Sequence, residues 1–364
     1  MRKVFSLSLA LILLFGFAAS ISAAGEQEAN KRAVNVDTTA AAANNTYQMA
    51  KDPSKYKIFC YWPAPDTFFD SYVLEGITAF EKDYRAHVEW MVGTEWTQDI
   101  ENQSVEAMAA DGYNLFMILS ADSSGANALY QELRENNFHV INYCNKVDEP
   151  AKCEAVLSSD NSVNAYASAK KLIELMGGEG EIIHVLENLN DVNTRIRQKA
   201  VEKAIAEHPG VKICQIVADI TTVDEGYEKV FDALTSNPDA KGIICCAGTA
   251  SKGVANALAD YYGTNPDAKH IYCGTMDQAG EVLAGIRSGQ IDYTVAQNGW
   301  AMGYVSALAL CMLEDGWKPK NDGQFIDTGY IFIDKSNIDR WQNDIETAAA
   351  DLIGALETDW FVKE

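Results

Sequence analysis

The chain is short of positive charge, of histidine and of every compact catalytic signature. Lysine and arginine number 29 against 52 acidic residues, a formal net charge of -23. So acidic a surface repels nucleic acid and anionic lipid and favours solubility, which argues against a nucleic-acid partner. The five histidines, His87, His139, His184, His208 and His270, are isolated from one another. No paired-histidine metal motif exists, and no metal or cofactor is expected. Eight cysteines are too few and too scattered for a disulfide framework, and none shows CxxC or Cys/His spacing. Cys60, Cys214, Cys245, Cys246 and Cys273 sit in or beside apolar runs and read as small buried hydrophobes. Cys144 and Cys153 bracket a polar loop, and a bridge between them stays open. Gly248-Thr249-Ala250-Ser251-Lys252-Gly253 lacks phosphate-loop spacing, and Gly177-Gly178-Glu179-Gly180 lies on the wrong side of a strand for dinucleotide phosphates. There is no nucleophile elbow. These absences weigh against an enzyme.

One long hydrophobic run is present, at the very start. Arg2 and Lys3 precede an apolar stretch from Leu7 to Ala19, and Ser22-Ala23-Ala24 supplies small residues for cleavage. That pattern reads as a signal peptide over residues 1–24, too short and wrongly flanked for a membrane anchor. No cysteine ends the run, so a lipid anchor is not expected and a periplasm-like compartment is. Residues 25–55, rich in Ala, Asn, Thr and charge, read as a flexible leader.

From Tyr56 the chain repeats one unit. Short apolar strands, beginning with Lys57–Tyr61 and Val88–Val92, alternate with helices such as 68–84 and 99–110. The pattern continues past the middle and closes on a helix at 301–314 and a strand at 330–333. Such alternation predicts an α/β protein with parallel sheets covered by helices on both faces. Nine or more strands are too many for one compact sheet, so two sheets are expected, divided near residue 158.

Ligands of open parallel sheets sit beyond the carboxyl ends of the strands. The residues there include Trp62, Asp66, Phe68 and Phe69, then Asp122 and Asn145, and in the second half Arg195, Asp277 and Gln297. Aromatic faces suit the C–H surface of a polyol, and amides, carboxylates and guanidinium suit its hydroxyls. Each has a plainer alternative. Asp122 and its serine neighbours suit a helix cap, and one of Phe68 and Phe69 suits the core. Arg195 and Arg197 share a helix start, where the dipole disfavours cations, so each needs a carboxylate or a ligand. Trp300 suits packing between lobes.

Those residues, in their order and spacing, resemble the sugar-binding type I periplasmic binding proteins, the ribose and galactose receptors of ABC transporters. The resemblance runs from Tyr56 to Ile333. It rests on Phe68-Phe69, Ala121-Asp122-Ser123, Ser159-Asp160-Asn161, Thr194-Arg195-Ile196-Arg197, Gly274 to Asp277, and Thr294-Val295-Ala296-Gln297. It implies two doubly wound lobes joined by a three-strand hinge, crossed near residues 158, 297 and 328. The first lobe would hold 56–157 with 298–327, the second 158–297 with 328–364. It implies that Phe68, Phe69, Arg195, Asp277 and Gln297 contact sugar, that the lobes close on it, and that the closed monomer meets a membrane permease. Two positions depart from the ribose receptor: Cys144-Asn145 replaces its Asp-Arg pair, and Ala247-Gly248 its Asn-Asp pair. A different monosaccharide or a less hydroxylated solute follows. A sensory receptor shares every one of these features, and an exported α/β hydrolase is the remaining alternative. A sugar-responsive repressor is set aside, because it would need a basic helix-turn-helix ahead of the first strand.

Overall fold

The computed structural model describes residues 46–65, 68–189 and 191–363. The expected signal peptide, most of the leader and Asp66 lie outside them. The first lobe is built on β1 (Ile58–Trp62), β2 (Val88–Val92), β3 (Leu115–Ile118), β4 (His139–Tyr143) and β5 (Ala155–Ser158). Between them run α1 (Leu74–Tyr84), entered through a π turn at Phe69–Val73, then α2 (Gln98–Ala110) and α3 (Gly125–Glu135). All five residues of β1 and all four of β3 are buried. Strands covered on both faces need such unbroken apolar runs, whereas a half-exposed strand would alternate.

The second lobe opens with α4 (Asn161–Leu175) and continues through β6 (Gly180–Glu187), α5 (Val192–Ala206), β7 (Val211–Ile220) and α6 (Val223–Ser236). It then adds β8 (Ala240–Cys245), α7 (Gly248–Thr264), β9 (Tyr272–Met276), α8 (Gly280–Ser288) and β10 (Tyr293–Gln297). Asp160, Asp191 and Thr222 cap α4, α5 and α6 by accepting from first-turn amides. The chain returns to the first lobe as α9 (Gly299–Glu314), with β11 (Trp317–Pro319) and β12 (Gln324–Asp327) following. It ends with β13 (Tyr330–Asp334), α10 (Trp341–Ala355) and β14 (Phe361–Lys363).

The two main sheets have six strands each. The first runs β12-β5-β4-β3-β1-β2, parallel throughout. The second runs β13-β10-β9-β8-β6-β7, parallel except where β13 meets β10 antiparallel at one edge. The fold is therefore two doubly wound α/β lobes. Residues 299–313 of α9 are all buried, which explains why that helix shows no polar face. It lies so close to α1 that an added methyl on Gly76 would overlap the Trp300 carbonyl, and one on Gly303 the Val73 carbonyl. Glycine at both positions lets the two backbones touch.

Several elements correct the sequence reading. β5, β12 and α10 were not foreseen: the two strands span only four residues each, too few to show a period, and the fifteen-residue helix lies beyond the last strand read from the sequence. The flexible leader ends earlier than residue 55. Tyr47 is buried, its hydroxyl donates to Asp315 at 2.7 Å, and its ring meets Trp317 edge-on at 6.5 Å. Lys55 pairs with the same carboxylate, and Thr46 bonds Glu357. Burial of the Tyr47 ring offsets the entropy of ordering this segment. At the other terminus β14 pairs with β11, directly after α9, instead of joining the second sheet. Cys153 is a buried thiol that forms no bridge, and burial pushes Cys60, Cys153 and Cys246 up to about 12.

Three crossings join the lobes, and they meet at Ser159. Its hydroxyl donates to Gly329 O at 2.6 Å, lies 3.2 Å from Thr328 Oγ1, and accepts from Asn298 N at 3.2 Å. Ser158 O accepts from Thr328 N at 3.1 Å beside it. Ser159, Asn298 and Thr328 are all buried, so no water replaces a lost bond. Ser159→Ala should lower unfolding free energy by about 1–3 kcal/mol, read from urea unfolding midpoints. An unchanged midpoint would remove Ser159 from the hinge.

His184, on β6, is buried and both ring nitrogens lack a partner, so desolvation lowers its pKa to about 4. The unfolded chain binds the proton first, so stability is full above pH 6.5 and falls as pH drops towards 4. The loss amounts to about 3 kcal/mol at the lower end. His184→Leu should remove that loss, so the wild-type-minus-variant stability difference should fall by about that amount as pH drops from 6.5 to 4, and equal pH slopes in the two proteins would contradict it.

Candidate functional site

On the second lobe, four strand ends converge through one hydrogen-bonded chain. Arg197, one turn into α5, is buried at 8% exposure and donates Nε and Nη2 to Asn161 Oδ1 at 3.0 and 2.8 Å. Nη2 also reaches Gln297 Oε1 at 3.2 Å. Gln297 Nε2 in turn donates to Asp277 Oδ1 at 3.0 Å. Asn161 Nδ2 donates to Asn193 Oδ1 at 2.8 Å. A guanidinium at a helix start is disfavoured by the dipole, and here amide oxygens and nearby carboxylates offset that cost. Glu187, at the end of β6, is one of those carboxylates. Burial raises its pKa, while the Ala250 amide, which donates at 3.0 Å, and Arg197 pull it back.

Asp277 is held in an uncommon backbone conformation, φ +63°. Its amide donates to Val295 O at 2.8 Å and its carbonyl accepts from Thr294 Oγ1 at 2.7 Å, so β10 fixes the turn. A methyl on Gly248 would lie 2.7 Å from Asp277 Oδ2. The bare glycine at the start of α7 is what lets this carboxylate sit over the helix N-terminus, where negative charge is favoured.

The first lobe contributes an aromatic wall. Trp62 stacks on Phe68 at 6.3 Å and contacts Phe69 at 5.2 Å and Tyr143 at 5.9 Å. Trp62 is 2% exposed, and its indole N–H is buried without a partner. Phe69 is fully buried against Trp90, so it belongs to the core. Phe68 sits at the boundary, its ring 3.0 Å from where a Gly299 methyl would stand. One turn on, Tyr72 OH donates to Gln278 O at 3.1 Å and so joins the first lobe to the residue after Asp277.

The other sequence candidates have different surroundings. Asp122 is exposed and accepts from the Ser124 and Gly125 amides at 3.1 and 2.6 Å, which is capping. Asn145 is bound to Ser120 through both its amide atoms and to Asn142. It stiffens the β3 and β4 ends. Arg195 is exposed and donates to Leu189 O at 2.9 Å. Asp66 lies outside the described residues. From the sequence, Arg197 stands beside Arg195 as needing a carboxylate or a ligand, but neither it nor Asn161 or Glu187 is among the expected site residues. The pairing of Arg197 with Asn161 spans 36 residues, and spacing along the chain does not reveal it. Among the described residues no group of three or more His, Cys, Asp or Glu could hold a metal, and no helix is long and apolar enough to cross a membrane.

Known proteins share this architecture. The structure aligns with an ABC transporter solute-binding protein from Burkholderia graminis in complex with D-arabinose, with TM-score 0.71 and 19% identity, over 80% of this chain and 99% of that one. It aligns with a solute-binding protein from Bacillus halodurans with bound myo-inositol at TM-score 0.69 and 16% identity, over 81% and 99%. At such identities the likeness is one of fold. In sequence, a D-apiose import binding protein from Actinobacillus succinogenes is 28% identical over 180 residues, 49% of this chain and 56% of that protein. The chain thus spans about half the length of the curated relatives it matches. The family described as periplasmic binding protein domain matches residues 58–318, from the first residue of β1 into β11, and the chain belongs to that family.

Proposed function

We propose that this protein is a solute-binding protein of an ABC transporter, and that it captures a monosaccharide between its lobes outside the cytoplasm. The observation that carries this reading is the chain Asn161–Arg197–Gln297–Asp277, set at strand ends opposite the aromatic wall of Trp62 and Phe68. Its donors and acceptors are held in place before any ligand arrives, which lowers the ordering cost of binding. A sugar hydroxyl both donates and accepts, so it can pair with carboxylate, amide and guanidinium groups in one plane while its C–H face meets Phe68. Asp277, Gln297 and Phe68 are assigned to direct contact, and Arg197 to positioning Gln297. Arg195 is assigned to the mouth, leaving Leu189 O when the lobes close. Trp62 and Phe69 support Phe68 from behind.

Ligand contacts from both lobes favour a closed state that is sparse without them, and no bond of the ligand is made or broken. The relatives named as a D-apiose import binding protein and a D-allose-binding periplasmic protein, and the solved structure with D-arabinose, support a sugar-sized solute. The closed form would then meet a membrane permease.

A thermal-shift screen of pentoses, hexoses and inositol tests the ligand class, since a ligand bound only by the folded state raises the melting temperature. A rise with at least one monosaccharide is expected, and none with any would reject the class. With that sugar, Asp277→Asn should weaken binding about 10- to 100-fold by calorimetry, about 1.4–2.8 kcal/mol, with the sugar-free melt unchanged. Arg195→Ala should cost about 2–3 kcal/mol, the loss of a charge-assisted bond. Full affinity in both variants would move the site elsewhere.

A further inference from the structure

At the edge where the lobes touch lies a cavity of about 20 Å³. Tyr72 and Glu75 reach it from the first lobe, and Gln278, Trp341 and Glu346 from the second. It has room for one group the size of a water molecule. Three features set it apart. Its two charged residues are both acids from opposite lobes, and among the described residues no lysine, arginine or histidine lines it. Gln278 is 2% exposed, and neither its amide oxygen nor its amide nitrogen has a partner. A buried amide left so costs free energy that a ligand would recover. Much of the remaining wall is aromatic, beside Gly299, Gln342 and Ile345: Tyr72 meets Trp341 edge-on at 6.3 Å, and Trp300, stacked on Tyr304 on one face, lines the cavity as well.

We propose that this cavity binds a primary ammonium group, either free ammonium or the tip of a small amine, through Glu75, Glu346 and the Gln278 amide oxygen. An –NH₃⁺ group has three N–H donors in a fixed fan, and the cavity presents three acceptor groups to it. Indole and phenol faces attract cations through their ring quadrupoles, so Trp300, Trp341 and Tyr72 complete the enclosure. Burial, and then the Glu75 carboxylate, push the Glu346 carboxyl up to about 7, the signature of an acid lacking a compensating cation. Burial, then Asp277 and Glu75, raise the pKa of Tyr72, whose hydroxyl joins the lobes through Gln278 O. A cation here would tie α1 of the first lobe to α10 of the second. The site is independent of the sugar reading, because it is defined and tested without sugar.

The test uses sugar-free protein at pH 8, where Glu346 is ionised, with melting followed in ammonium, methylammonium, butylammonium, potassium and tetramethylammonium chlorides at equal ionic strength. A saturable rise in melting temperature with ammonium or the primary amines is expected. Potassium, which has no N–H, and tetramethylammonium, which has none and is too large, should give none. Tighter response to butylammonium than to ammonium identifies the tip of an amine, and the reverse order identifies the free ion. Glu346→Gln, which keeps the side-chain shape, should abolish the rise, and Glu75→Gln at the cavity mouth should weaken it severalfold. An equal rise with potassium, a rise that survives both variants, or no rise with any of these cations would each overturn the proposal.

Discussion

One serine hydroxyl ties together the three strands that join the lobes. Ser159 Oγ bonds Gly329 O and the Asn298 amide and lies beside Thr328 Oγ1, so every route between the sheets passes within one side chain's reach. Asn298 extends the node. Its side chain caps α9 through the Ala301 amide and donates to Ile345 O on α10. The helices that flank the cleft are therefore indexed to the crossings themselves. Rotation about such a point changes the gap between the lobes while leaving each sheet intact, which is the mechanical requirement for hinge closure.

The site inherits its geometry from that node. Gln297 is the last residue of β10 and directly precedes Asn298, so the amide bridging Arg197 and Asp277 sits one residue from the hinge. Asn161 is two residues beyond Ser159 and holds Arg197 from the other crossing. The polar groups assigned to the ligand and the backbone at the crossings are thus neighbours in sequence. On the proposed reading, a ligand on Asp277 and Gln297 would act close to the axis, where a small displacement moves the far lobe most. The acidic cavity at Glu75 and Glu346 occupies the same interlobe edge, where the proposed cation would offset the repulsion between the two carboxylates and tie the lobes.

The fold was largely legible in the sequence because parallel strands buried on both faces leave unmistakable apolar runs, as in Ile58–Trp62 and Leu115–Ile118. The rule that ligands sit beyond strand ends pointed to Asp277 and Gln297, which the structure joins by a hydrogen bond, and to Phe68, which it stacks on Trp62. Burial and partners are decided by tertiary packing, which that rule does not see. Trp62 and Phe69 have the composition of ligand platforms, yet Tyr143 and Trp90 cover them. Arg195 and Arg197 are equivalent as letters, but only Arg197 faces inward, because α5 turns the two about 200° apart on its surface. Asn145 looks like a free amide until Ser120, 25 residues earlier, is seen to occupy both its atoms. Short elements also escaped, since β5 and β12 each span only four residues and gain their stability from sheet pairing, β12 on β5 and β5 on β4.

The central claim is that a solute is caught by closure of two lobes about the Ser159 node and released unchanged. Small-angle scattering of the protein, with and without the sugar that raises its melting temperature, tests this most directly when paired with recovery of the sugar afterwards. The account predicts a smaller radius of gyration at saturation and chemically intact sugar in the recovered solution. An unchanged scattering profile at demonstrated saturation, or conversion of the sugar, would contradict it.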